Sequence, residues 1–368
     1  MPSVREAAHR LRRALHQARW PVLRKTWRDR GYGEYAVISR DPPIIRLVHG
    51  WDFRPLYALL RGRPAWFLVK VPGGLADADR VRALRDETRA HRRRHPGHRF
   101  VVLGNTSDEV ARLQAAGLDA VFVNSNAFVD ERLFDIDRTA PKLYDAIHDA
   151  QLGAFKRHEL TVEIRSLAII TYLYYPGLRE AYPLAMVERL RHATWLNPPY
   201  SPSYRRLTPT EVCYHLNRSR VGLCLSAVEG AMFASIQYLL CGLPVVTTPS
   251  RGGRDVFFDE GYVATVPPDA TAVRRGVEQM IERAPDPALI RALTLDRMQE
   301  HRARFIGLVD RIYAESGVSR SFRDEWPAVF FHKLQRRGRL AGVRDELMRS
   351  HDAGPSSEGT NRRGPDGP

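Results

Sequence analysis

Short apolar runs recur along most of this chain, each closed by glycine, proline or asparagine and parted from the next by a stretch with helical spacing. In the first half the runs are Ile44–Val48, Trp66–Val71, Phe100–Leu103 and Ala120–Val123. They are apolar at nearly every position, which is the composition of strands buried on both faces. Between them, Asp77–His95 and Ser107–Ala116 read as helices. The second has Thr106 or Ser107 as N-cap, Asp108 and Glu109 in its first turn, and Gly117 as its stop. Strands that alternate with helices predict an α/β chain with a doubly wound parallel sheet.

A second series follows the polar segment Asp135–Lys142, which contains Pro141 and reads as a linker. Its expected strands are Tyr144–Ala150, Leu167–Tyr172, Ala193–Leu196, Val221–Leu225, Pro244–Thr248 and Tyr262–Val266. Leu178–Arg191, Pro209–Asn217, Ala231–Cys241 and Ala270–Arg283 read as the helices between them. The whole chain of 368 residues is long enough for two cores. The expected domains are residues 31–140 and 141–315. A basic helix precedes them within 1–30, helices at 316–350 pack back on the first domain, and 351–368 form a disordered tail poor in apolar residues.

The charge balance is +15, and only five of the 57 basic residues are lysine (25, 70, 142, 156 and 333). Such an arginine bias reflects either a GC-rich coding sequence or an anionic partner. Residues 4–19 place Val4, Ala7, Ala8, Leu11, Leu15 and Ala18 on one helical stripe among arginines. This helix would lie on an anionic membrane surface or pack its weakly apolar stripe on the protein's own body. Nucleic acid is not expected as a partner: the basic residues are scattered, and no helix-turn-helix, zinc-finger or RNA-recognition pattern is present. Cys213, Cys224 and Cys241 are an odd set without paired spacing, so neither a disulfide framework nor a zinc knuckle is expected, and a reducing cytoplasm fits. The longest apolar run, Leu167 to Tyr175, falls well short of the roughly 20 residues of a spanning helix.

The stretch from Val221 to Pro249, VGLCLSAVEGAMFASIQYLLCGLPVVTTP, is the most informative. A strand ends at Leu225, a loop of small residues follows, and Glu229 and Gly230 are expected to open a helix that Gly242 closes. A helix mouth at the carboxyl edge of a parallel sheet presents free N–H groups to an anion. Gly230 would let an oxyanion approach the backbone, and Glu229 would accept hydrogen bonds from sugar hydroxyls. Glu229 and Gln237, eight apart, would share a helix face along which a ligand could lie, unless they are a capping Glu and a border Gln.

The order strand, S-x-x-E-G, helix, C-G-L-P-V-V-T-T-P-S-x-G-G, then V-P-P-D-A and a helix, resembles the C-terminal domain of retaining GT-B glycosyltransferases, group 1 or family 4, over about residues 144–283. The resemblance implies two Rossmann-like domains facing a cleft. It also implies sugar transfer from a nucleotide-diphosphate sugar to a hydroxyl acceptor with retention, and neither metal nor bound cofactor. The family's E-x7-E pair maps to Glu229, facing the donor sugar, and to Gln237, which departs from the pattern but keeps hydrogen-bonding capacity for the ribose. The family's G-R-L-x-x-x-K loop maps to the segment 150–158, where Lys156 falls on the Lys and Gln151 replaces the Arg. One diphosphate-neutralising cation is therefore missing, and Arg157 or a residue elsewhere would substitute.

Weaker candidates are Gly253 and Arg254 after the strand Pro244–Thr248, for close approach to a ligand and for phosphate, and Asn197, where the family's base pocket lies. On the first domain His49 follows a strand and would face the cleft, touching the transferred sugar or the acceptor, unless it is a structural histidine satisfied within the protein. Lys70 with Pro72-Gly73-Gly74, and Asn105, have similar standing. The acceptor is a glycan, a lipid-linked saccharide or a small molecule, and the basic N-terminal helix favours one at the inner membrane face. Competing readings are a non-catalytic nucleotide-sugar binding or scaffold protein and a nucleotide-sugar hydrolase or epimerase.

Overall fold

The computed structural model describes residues 32–48, 54–71, 78–173 and 179–348. The helix at 4–19, His49, Pro72-Gly73-Gly74 and the tail at 351–368 lie outside the described residues. Two six-stranded sheets carry the chain.

The first sheet contains β1 (Tyr32–Arg40), β2 (Pro43–Val48), β3 (Ala65–Lys70), β4 (His98–Gly104), β5 (Ala120–Phe122) and the much later β14 (Arg336–Arg339), in the order β14-β1-β2-β3-β4-β5. β2 to β5 are parallel, whereas β1 runs antiparallel to both β2 and β14. The side chains alternate as a pleated strand requires. Leu68 and Ile44 enter one layer with Val101, while Phe67, Val69 and Ile45 enter the other. Helices α1 (Arg54–Leu59) and α10 (Leu340–Met348) cover the second layer through Leu56 and Val343. Beside them α2 (Ala78–Arg94) and α3 (Ser107–Ala115) bury Val81, Leu84, Val110 and Leu113. Thr106 caps α3 by accepting a hydrogen bond from the Glu109 amide, as its sequence position predicts.

The second sheet contains β6 (Tyr144–Gln151), β7 (Leu167–Tyr172), β8 (Thr194–Trp195), β9 (Ser219–Cys224), β11 (Val245–Thr247) and β13 (Val263–Thr265), all parallel, in the order β13-β11-β9-β6-β7-β8. Read from β6, the chain lays down three strands outward one way and three the other, so the order reverses between β6 and β9. That is the Rossmann arrangement, whose crevice opens at the carboxyl ends of those two strands. Helices α4 (Ala181–Arg189), α5 (Pro209–Asn217), α6 (Phe233–Leu240) and α7 (Ala270–Arg283) flank the sheet. Ile147 and Val245 pack with α6 on one face; Ala146 and Val246 pack with Val273 and Val277 of α7 on the other.

One helix joins the halves. α8 (Pro287–Glu315) inserts Ile290 and Met298 into the core around α6, then Phe305, Val309 and Ile312 into the core of the first sheet. Its Arg302 donates to the Ala127 and Val129 carbonyls and pairs with Glu131, and its Arg291 donates to the Phe134 and Leu240 carbonyls. The segment between the sheets is thus bound along its length to the helix that spans them.

Two strands lay outside the sequence expectations. The region 322–350 is mostly helical as expected, but after α9 (Phe322–Val329) it forms a tight turn, then β14, then α10. β14 reads Arg-Arg-Gly-Arg and carries no apolar signal; backbone pairing and the Arg337–Glu34 ion pair hold it on β1. β1 itself, broken by Gly33 and Glu34 and bent by a bulge between Val37 and Ser39, also shows no continuous apolar run.

Candidate functional site

Two loops meet at the reversal point of the second sheet. The first leaves β6 at Gln151 and makes a single 3-10 turn, Ala154–Lys156, that Arg157 ends in the left-handed region at φ 54°. This turn folds the Lys156 side chain inward, where it is nearly fully buried. The second loop leaves β9 and carries Ser226, Glu229 and Gly230. The Lys156 ammonium pairs directly with Oε1 of Glu229, and the Ser226 hydroxyl donates to the same oxygen at 2.7 Å. Both loops therefore deliver their charged group to one point.

The way Glu229 is held differs from expectation. It does not open a helix. Val228–Glu229 form a two-residue strand, β10, parallel to β12 (Arg251–Gly252), and α6 begins only at Phe233, with Met232 as its N-cap. Glu229 and Gln237 therefore do not share a helix face; Gln237 is buried inside α6. The cause is the Gly252-Gly253 pair. A side chain at Gly252, whose φ is +111°, would fall 1.6 Å from the Glu229 carbonyl oxygen. The Gly253 amide donates to the Gly230 carbonyl at 2.6 Å. Close approach here is made by the loop's own backbone, which these glycines draw out of the helix.

Gly253 also faces the first sheet. A Cβ on it would meet Asn105 Cβ at 2.5 Å and Asn124 Nδ2 at 2.7 Å. Asn124 donates to the Asn105 and Gly253 carbonyls, and Asn105 Oδ1 accepts from the Ser125 amide. Asn105 is thus a joint between the two halves.

Arg254 is 0% exposed. Its guanidinium donates to the carbonyls of Cys224, Ser226 and Thr248 at 2.7–2.9 Å and to Asp255 at 2.6 Å. Every nitrogen is committed to the protein, so it braces the loop that carries Glu229, where the sequence suggested a phosphate contact. Asn197 is similar: its amide bridges Thr171 and the Arg205 carbonyl, tying β7 to the segment after β8. Arg157 is partly exposed and has no side-chain partner among the described residues.

Sequence reasoning missed four titratable groups here. Asp149, two residues before the end of β6, is half-buried, and its desolvation pushes its carboxyl up to about 6 against the pull of Lys333 and Lys156. Lys333 lies in the turn after α9 and reaches this crevice from the far end of the chain. Beneath the first loop, His148 and His158 pack ring to ring at 4.6 Å; burial and the Lys156 charge hold both well below the ordinary histidine value. An aspartate and a histidine inside the strand Tyr144–Gln151 were the available signal, since a strand buried on both faces is ordinarily apolar.

No protein-family model and no curated protein matches the chain. Solved structures do. Sucrose-phosphate synthase from Thermosynechococcus elongatus is 15% identical and superposes with a TM-score of 0.51 over 71% of this chain and 69% of that one. HepE from Anabaena, solved in complex with UDP, is 11% identical with a TM-score of 0.50 over 69% of this chain and 80% of that one. S. aureus TarM, solved with Fondaparinux, alpha-GlcNAc-glycerol and UDP, is 12% identical with a TM-score of 0.51 over 74% of this chain and 56% of its own. The fold is GT-B. In GT-B terms, β6 and β9 belong to the second Rossmann-like unit, and the Lys156–Glu229 pair stands at its switch point. Among the described residues no helix is long and apolar enough to cross a membrane.

Proposed function

We propose that this GT-B chain is a glycosyltransferase that moves a sugar from a nucleotide-diphosphate sugar to a hydroxyl acceptor, with retention and without a metal. The observation that carries the reading is the meeting of Lys156 and Glu229, 73 residues apart, at the carboxyl edge of the strand-order reversal. A nucleoside diphosphate gains negative charge as it leaves, and a fixed ammonium beside it stabilises that charge. A carboxylate oriented by a serine hydroxyl accepts hydrogen bonds from the hydroxyls of the bound sugar. In the step itself the acceptor oxygen bonds to the anomeric carbon. The bond from that carbon to phosphate breaks with its electron pair on phosphate, and the acceptor proton passes to the departing phosphate oxygen. His49 and Gly230 complete the site in this reading, with Gln237 and Arg157 at the nucleotide, and Arg254, Gly253 and Asn197 shaping the walls.

The acceptor is a glycan, a lipid-linked saccharide or a small molecule, met in the cytoplasm or at its membrane face. The neighbours solved with UDP and with a glycan support a nucleotide donor and a sugar acceptor. The mutual neutralisation of Lys156 and Glu229 favours one alternative: a protein that binds nucleotide sugar without turning it over.

A panel of UDP-, GDP-, ADP- and dTDP-sugars screened by thermal shift is the direct test. A true donor at 100 times its Kd stabilises the folded chain by about 2.7 kcal/mol. Transfer to a hydroxyl acceptor should then fall tenfold or more in Lys156→Ala and Glu229→Ala. Absence of stabilisation by any of them refutes the proposal; stabilisation without transfer selects the binding protein.

A further inference from the structure

Two ammonium groups converge on one aromatic ring in the crevice between the sheets. Lys70 Nζ lies 4.7 Å from the centroid of Phe233, and Lys333 Nζ lies 4.4 Å from it. Lys70 is the last residue of β3, Phe233 is the first of α6, and Lys333 sits in the turn after α9. Three distant segments, from both halves of the molecule, thus build one place. It adjoins the donor site: Phe233 follows Glu229 by four residues, and Asp149 lies within electrostatic reach of both Lys156 and Lys333.

Neither ammonium has a hydrogen-bonding partner among the described residues. The ring attracts both cations through its π face but accepts none of their N–H bonds in the ordinary sense. The other charges around them do not balance the pair. Arg46, on β2 beside Lys70, adds a third cation, 1% exposed. Glu34, also engaged by Arg337 at 2.7 Å, and Asp149, at about 6 still largely ionised at neutral pH, offset only part of this charge. Burial pushes Lys70 down to about 7 and lowers Lys333 as well. Burying uncompensated cations is unfavourable, and a methionine or glutamine would serve the fold better.

The backbone is also arranged to present Lys333. That residue has φ 64° and ψ 2°, in the left-handed region, without being glycine. Arg46 holds it there, donating from one nitrogen to the carbonyls of Lys333 at 3.1 Å and Leu334 at 2.8 Å. Residue choice points the same way. In a chain whose basic residues are overwhelmingly arginine, three of the five lysines, 70, 156 and 333, stand in this crevice. Lysine offers a compact, rotatable point charge where arginine would impose a planar fork.

We propose that Lys70, Lys333 and Phe233 form an anion pocket facing the donor site, and that it takes a phosphate group carried by the acceptor. The pocket stands on its own geometry; the word acceptor rests on the glycosyltransferase reading.

The test uses the full chain and inorganic phosphate as probe, by calorimetry and thermal shift, alone and with a saturating nucleoside diphosphate chosen from UDP, GDP and ADP. Phosphate should bind in both conditions. Lys70→Gln and Lys333→Gln should each weaken phosphate tenfold or more, leave nucleotide affinity unchanged, and melt without ligand no lower than the wild type. Arg92→Gln, an exposed substitution that removes the same charge, should behave as wild type. No phosphate binding by the wild type, or full binding by both lysine variants, overturns the pocket. Phosphate displaced by the nucleotide, together with nucleotide binding weakened in the lysine variants, overturns the acceptor assignment, because the pocket then serves the donor. If no nucleotide binds yet the lysine variants still lose phosphate, the pocket survives and the donor reading fails. Glycerol 3-phosphate against vesicles of phosphatidic acid then separates a soluble phosphomonoester from a lipid headgroup.

Discussion

Lys156 and Arg254 illustrate how differently two cations act around the loop that carries Glu229. Lys156 meets a carboxylate that a ligand can share, so its removal should act on catalysis: Lys156→Ala is expected to lower kcat by tenfold or more, a barrier increase of about 1.5–3 kcal/mol, with a smaller loss of urea stability than at Arg254 because one ion pair is broken there. Arg254 holds three carbonyls and Asp255 with no exposed surface. Arg254→Met should therefore destabilise the fold by about 3–5 kcal/mol in urea unfolding. Equal effects of the two on stability would contradict this division. Asp149 adds a pH signature. Its carboxyl titrates near 3.8 when free and near 6 in the fold, so the folded state holds its proton more tightly. The stability it contributes is complete below about pH 4 and is lost as pH rises through 6. Asp149→Asn should remove that slope, seen by comparing urea midpoints at pH 4.5 and 7. Lys156 and Glu229 were legible because each stands in a short motif of the family resemblance, the loop at 150–158 and the S-x-x-E-G turn. Arg254 was legible as a cation near the loop but not as a buried one, since burial depends on what folds over it. Lys333 was not legible at all, because only tertiary structure brings it to Phe233.

At the scale of elements, glycine pairs and edge strands decide the geometry. Gly253 sits where the Glu229 loop touches Asn105 and Asn124 of the first half. Gly253→Ala should force these apart and destabilise by about 1–3 kcal/mol. Its donor affinity should fall too, which Gly317→Ala, with open space around it, should not reproduce. Pairing of β14 with β1 leads to a second expectation. Ending the chain after Gln335 removes β14 and α10, and with them the fully buried Val343. Several degrees of melting temperature should be lost; unchanged melting would mean that this edge contributes nothing. The parallel strands were readable because burial on both faces leaves a continuous apolar signature, as at Leu167–Tyr172. β14 and β1 were not, because the first pairs through arginines and the second is bent by a bulge.

For the whole molecule, buried histidines set the response to acid. His301 and His332 accept hydrogen bonds from the Asn124 and Asp130 amides, in the segment that joins the halves, and His91 lies inside the first domain. Burial lowers all three to about 4. A lowered value means the folded state resists protonation, so their stability is complete above about 6.5 and is lost as pH falls toward 4. This slope opposes that of Asp149 and involves more groups, so urea midpoints should drop across that window, and His301→Gln should flatten the drop. The helix α8 has one more consequence, concerning the order of assembly. Strands β6 to β13 are contiguous in the chain, but the first sheet waits for Phe305, Phe322 and β14, which are synthesised almost last. On the ribosome the later half should therefore become protease-resistant before the earlier one, reversing the usual succession of nascent domains.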